Sequence, residues 1–297
     1  MKKSYPISLF MSLFMALLLI SCGEKKKNAE EAINNTPAEL ETTLEAKNWA
    51  EKLGWPAGKK VIMLHADDIG MCPEANIAAK EQLTKGEIQS AAVMIPCPNA
   101  EEFINWAKEN PAMDASAEEV EKEIRAQIEQ SIAWGYRPDH IDTHMGTLFG
   151  DPSYVKAYMK VAQEYGIPAN IIDISVPSVL AEFRAKGYPM DDSVVKMTEE
   201  YTLPKLDFFS SAPKADSYEE KVEAFKTLIK SLPPGLTEII FHPSVETDNL
   251  RGITGSWQQR VWESQIFGDP DLINFFKEEG IIFTNWKEIM TRFNSMK

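Results

Sequence analysis

His65-Ala66-Asp67-Asp68-Ile69-Gly70 closes the apolar run Val61-Ile62-Met63-Leu64. A short apolar run that ends in acidic residues and glycine reads as a buried strand delivering side chains to a loop. Two adjacent carboxylates there raise one another's pKa, so a metal, a proton or another cation has to share the site. Capping of the following helix is the plainer use of such a pair. A second cluster, His140-Ile141-Asp142-Thr143-His144, also ends a short strand, and a third lies at His242-Pro243. All four histidines of the chain fall in these places. On an extended strand His140, Asp142 and His144 share one face, because side chains alternate with period two. An alternating His/Asp/His set suits metal binding or acid–base work. No phosphate loop, nucleophile elbow or CxxC pair is present.

Strands and helices alternate around these clusters. Residues 59–64 read as a strand and 73–85 as a helix with Ala75, Ile77, Ala78 and Leu83 toward the core. A strand at 90–95 and a helix at 99–109 follow, the helix stopped by Asn110-Pro111. A further strand is due at this point. Instead Ser116 reads as an N-cap with Glu119 three residues on, opening a helix with Val120, Ile124, Ile128 and Ile132 on one face. One βα segment is therefore expected to be lacking between the second and third helices. The alternation resumes with a strand at His140, a helix at 153–165 and a strand at 169–174, while 176–199 has no clear pattern. Strands at 206–210, 238–241 and 281–284 and helices at 218–232, 260–267 and 271–279 complete the reading. Repeated βα units imply an α/β fold with a mostly parallel sheet, a modified (β/α) barrel whose polar strand ends form the active face. Three strand ends then converge on one rim: Asp67 and Asp68, His140 to His144, and His242.

The order HADDIGM, MIPCP, RPDHIDTHMGTLF and EIIFHPS resembles the YdjC-like carbohydrate deacetylases over roughly residues 57–290. That resemblance implies a barrel related to the polysaccharide deacetylases and metal-dependent removal of acetyl from an N-acetylated sugar or oligosaccharide. By position it implies Asp67 as catalytic base, Asp68 and His144 as ligands of a divalent metal (magnesium or zinc), and His242 as acid or transition-state stabiliser. Asp142 then orients a neighbouring histidine, and His65 lines the pocket. The chain departs from the family at one place. Family members carry an HLxLT-like element with a further metal-ligating His before the HIDxH region, and here residues 110–118 hold none. His65 or His140 could stand in for it. The alternative is a catalytically impaired, glycan-binding relative produced by internal deletion. Trp134, Tyr136, Trp257 and Trp262 are candidates for either a sugar-stacking platform or, at helical spacing, core.

The first residues address the chain to the cell envelope. Lys2 and Lys3 precede an apolar stretch from Ile7 to Ile20 that closes with Leu19-Ile20-Ser21-Cys22, the pattern of a bacterial lipoprotein signal. The expected organisation is a signal peptide at 1–21, a flexible tether at 22–45 with lipidated Cys22, and a catalytic domain at 46–297. Lys25-Lys26-Lys27 and the absence of apolar periodicity mark the tether. Membrane contact is then through the lipid alone. A formal charge of -14 argues against nucleic acid as a partner. Cys72 and Cys97 could pair in an oxidising compartment, which spacing alone does not show.

Overall fold

β1 (Lys60–Ile69) carries the molecule, and every strand paired to it runs parallel. The computed structural model describes residues 47–110, 115–118 by their backbone, and 121–297; residues 1–46, with the expected signal and tether, lie outside them. β6 (Gly235–Phe241) pairs along one edge of β1, and β5 (Phe208–Ser211) lies beyond it. On the other edge β2 (Ser90–Val93) takes the last residues of β1, and β7 (Ile282–Phe283) takes Val61 and Ile62. β3 (Ala115–Glu118) and β4 (His140–Asp142) extend the β2 side. These ladders form an open path, but paired backbone continues past β4 as single parallel bridges, Ile141 to Ala169 and Ile172 to Leu206. They bring the chain back toward β5, giving a (β/α) barrel with one thinly bonded wall. The Tyr158 hydroxyl reinforces that wall, donating to the Ile141 carbonyl at 2.5 Å and accepting the Asn170 N–H at 3.0 Å.

Both faces of β1 are covered, as a parallel strand requires. Val61, Ile62, Met63 and Leu64 are fully buried, and their alternation divides two apolar clusters. Ile62, Leu64 and Ala66 pack with Phe103, Phe225 and Phe241 against the outer helices. Val61 and Met63 pack with Ile141, Leu236 and Trp286. His65 and Asp67 continue this second, inner face by the same period of two. The short α1 (Trp49–Lys52) precedes β1; the other helices include α2 (Pro73–Lys85), α3 (Ala100–Glu109), α4 (Glu121–Ala133), α5 (Pro152–Tyr165), α8 (Tyr218–Ser231) and the short α9 (Asp248–Ile253).

The structure corrects the sequence reading in three places. Residues 115–118 form β3, not the start of a helix capped by Ser116: Ala91 pairs with Ala115, and Ser116 with His140. The interior position between β2 and β4 would otherwise leave both ladders with unpaired backbone groups, and that need overrides a weak cap signal and poor strand propensity. The barrel therefore keeps a strand where one was expected to be lacking. Ile77 and Ile132, assigned to the core, are exposed at 52% and 38%, while Ile124 and Ile128 are buried; Val120 lies outside the described residues. The patternless stretch 176–199 becomes two helices, α6 (Pro177–Ala185) and α7 (Asp192–Glu200), the second capped by the Asp191 carboxylate. Cys72 and Cys97 are free thiols. Among the described residues no helix is long and apolar enough to cross a membrane.

Candidate active site

The turn after β1 is built for close approach. Asp68 has φ 62° and Gly70 φ 92°, both in the left-handed region. A non-glycine residue held there is strained, and such strain gathers at functional loops. A Cβ on Gly70 would stand 3.0 Å from the Ala100 Cα at the start of α3. Gly70→Ala is accordingly expected to lower unfolding stability by about 1–3 kcal/mol, read from urea denaturation at constant m-value.

Four of the residues singled out by sequence meet at this turn. Asp68 Oδ1 lies 3.2 Å from His144 Nδ1, and neither atom has a hydrogen-bond partner among the described residues. The other Asp68 oxygen accepts from Arg260 Nη2 at 2.6 Å. His242 Nε2 lies 3.8 Å from Asp67 Oδ2, and Asp67 Oδ1 accepts the Asp68 N–H at 2.9 Å. Burial, then the neighbouring Asp142 and Asp68 charges, push the Asp67 carboxyl up. Burial holds the His242 imidazole down, against the pull of Asp68. His144 reaches the site from a tight turn after β4, in which Met145 (φ 53°) and Gly146 (φ 65°) are also left-handed.

A cleft of about 420 Å³ opens over these groups. Asp67, Asp142, His144, His242 and Asn170 give it a polar floor, and Phe149, Phe183, Tyr188 and Phe209 give it aromatic walls. Trp134, Tyr136, Trp257 and Trp262 do not line it: Tyr136 is buried, and Trp134 and Trp257 pack against the core. Sequence reasoning missed Phe183 and Tyr188 because they come from the stretch without periodicity.

His65, His140 and Asp142 form a layer beneath. His65 Nε2 lies 3.2 Å from Asp142 Oδ2, and its Nδ1 meets Ser90 Oγ at 2.9 Å. His140 is buried, stacked on Trp286 with ring centroids 5.7 Å apart, and edge-on to His65 at 5.1 Å. Glu238 joins this layer and was not anticipated, although a lone acid in the apolar strand Leu236-Thr237-Glu238-Ile239-Ile240 is the signal that marks it. The Asn170 amide bridges Asp142 and Glu238. Burial works against a charged His65, but Glu238 and Asp142 outweigh it and raise the imidazole to about 9. Burial pushes the Glu238 carboxyl up, and His65 opposes that rise.

α10 (Trp257–Glu263) braces the rim from outside the barrel. Besides the Arg260 contact to Asp68, Glu263 Oε2 accepts the His242 N–H at 2.7 Å and Glu263 Oε1 accepts from Lys221 Nζ at 2.6 Å. Lys221 is fully buried. The Ser244 N–H donates to the Arg260 carbonyl at 3.0 Å.

The donor set fits a divalent ion at the turn. Two ligands bound at about 2.1 Å to one ion stand roughly 3 Å apart, which is how Asp68 Oδ1 and His144 Nδ1 are placed. One atom from each of Asp67, Asp68 and His242 also lies within 4.8 Å of the others. His65 and His140 point instead into the layer beneath.

The sequence profile of the YdjC-like protein family matches residues 61–116 and 112–278. The chain belongs to this family. As a YdjC-like protein it is similar to the carbohydrate deacetylase of Thermus thermophilus, 26% identical over 258 residues that cover 75% of this chain and 91% of that one. It is similar also to the carbohydrate deacetylase of Thermoanaerobacter pseudethanolicus, 21% identical over 267 residues, covering 76% and 98%. A crystal structure from Enterococcus faecalis V583, provisionally described as a cellobiose-phosphate cleavage protein, shares the fold. Its TM-score is 0.62 at 18% identity, with 78% of this chain and 99% of that one covered. The two segments of the YdjC-like match overlap at residues 112–116, which run into β3.

Proposed function

We propose that this chain is a metal-dependent carbohydrate deacetylase that hydrolyses the acetamide of an N-acetylated sugar or oligosaccharide in the aromatic-walled cleft. The observation that carries this reading is the convergence of Asp67, His144 and His242 on the cleft floor, with Asp68 behind them in contact with His144. Its support from relatives is that two similar proteins bear the name carbohydrate deacetylase. Asp68 and His144 would hold a magnesium or zinc ion, which when bound polarises the amide carbonyl and makes water more acidic. Asp67 takes the proton of the attacking water. His242, 3.8 Å from Asp67, would receive that proton as the two groups close on substrate and pass it to the departing sugar amine. Phe183 and Tyr188 offer flat faces to the C–H side of a sugar ring and exclude water from the floor. Cys22 would carry the lipid that fixes the domain to the cell envelope.

Acetate release from N-acetylglucosamine oligomers, with zinc or magnesium supplied, tests the activity. The unsubstituted protein is expected to release acetate, and Asp68→Asn to lose turnover together with the metal held between Asp68 and His144. One observation favours a second reading, a non-hydrolysing glycan binder: Arg260 already occupies one oxygen of Asp68. Oligomer binding without acetate release, at every metal tried, would select it.

A further inference from the structure

The layer beneath the cleft has a geometry that the proposed reaction does not use. Three buried side chains each have one polar atom fixed and the other turned toward a common point. His65 has Nδ1 on Ser90, leaving Nε2 near Asp142. Asp142 has Oδ1 on the Thr143 N–H at 2.6 Å and the Asn170 amide at 3.1 Å, leaving Oδ2. Glu238 has Oε1 on the same amide, leaving Oε2, with the Trp286 indole beside the carboxylate. Glu238 Oε2, His65 Nε2 and Asn170 Oδ1 lack a hydrogen-bond partner among the described residues. His65 and Glu238 are 0% exposed, and Asp142 4%. One atom from each of His65, Asp142 and Glu238 lies within 4.8 Å of the others.

Buried acceptors turned toward one another repel unless a cation lies among them. Fixing the far atom of each donor is also how proteins orient metal ligands: the second imidazole nitrogen and the second carboxylate oxygen are held by hydrogen bonds. We infer that His65, Asp142 and Glu238 bind a divalent transition-metal ion inside the barrel, at a site distinct from the Asp68–His144 pair. A nitrogen with two carboxylates suits zinc or manganese better than calcium, which takes oxygen ligands. Asp142 and Asn170 belong to the cleft floor, so the ion enters from the cleft. The competing occupant is a proton on His65, and metal analysis separates the two.

The probe is zinc, added to the chelator-stripped full chain and counted per chain after dialysis. Asp68→Asn/His144→Gln is expected to keep one zinc. Adding Glu238→Gln or His65→Asn to it is expected to weaken that zinc about 100-fold or more. No zinc in the double variant, or zinc indifferent to Glu238→Gln, overturns the proposal. Crystals of the unsubstituted protein soaked in zinc serve where a variant does not fold. An anomalous peak in bonding contact with His65 Nε2 and Glu238 Oε2 is expected. A peak only at Asp68 and His144, or density between His65 and Glu238 without anomalous signal, overturns the site. Metal counting does not depend on acetate release, so failure of this site and failure of the deacetylase reading are separately visible.

Discussion

Asp67→Asn is expected to cut acetate release by about 10²–10⁴-fold in kcat, the range over which a positioned general base acts. The substitution keeps the size of the side chain and the oxygen that accepts the Asp68 N–H, so the turn after β1 should hold its shape. It removes the group that takes a proton from water and passes it toward His242. The zinc content of the variant and its affinity for oligomer are expected to stay within a few-fold of the parent. This split, turnover lost with binding kept, is what a catalytic base produces and a structural residue does not. Turnover within tenfold of the parent would remove Asp67 from the mechanism and move attention to Asp142, the other carboxylate on the cleft floor.

Lys221→Met is expected to cost about 3–5 kcal/mol of stability, because it leaves the Glu263 carboxylate buried without its cation. For a domain of this size that corresponds to a fall in Tm of roughly 6–20 °C. The side chain is fully buried, and its ammonium donates both to Glu263 at 2.6 Å and to Gln259 at 3.0 Å. Methionine fills much the same volume, so the loss isolates the charge. The double variant Lys221→Met/Glu263→Gln is expected to recover part of the stability, since replacing a whole buried ion pair is often nearly neutral. Turnover would remain low in the double variant if Glu263 also places His242 through its backbone N–H. A single-variant loss below about 1 kcal/mol, measured by urea denaturation, would mean that solvent reaches Glu263 and that the pair is an ordinary surface one.

Much of the candidate site is legible in the sequence because its residues sit at or just past strand ends, where the polar stop is visible. Asp67 and Asp68 are legible that way, but the shared face expected for His140, Asp142 and His144 is not kept: β4 stops at Asp142, and His144 turns to Asp68 while His140 stacks on Trp286. The partners of those residues were not legible. Arg260 and Glu263 lie on α10, a short helix whose sequence says nothing about which strand ends it will touch. Glu238 hid in an apolar strand. The strand at 115–118 could not be read because alanine, serine and glutamate favour it only weakly, and pairing with β2 and β4 decides it. Phe183 and Tyr188 shape the cleft from a stretch whose helices are short and interrupted by Gly187 and Pro189.

The pairing of β1 with β6 has a consequence for how the chain comes into being. Lys60 is joined to Gly235, and Ala66 to Phe241, across most of the sequence. A ribosome adding about 5–20 residues per second needs roughly ten to thirty seconds to supply the partner of β1 once β1 itself has appeared. Until then the nascent polypeptide lacks its central ladder, and β1 stays without β6 and β7, two of the three strands that pair with it. Early fragments therefore stay loosely organised and open to chaperones, and the fold locks late, when the closing third of the chain arrives to flank the strand made first.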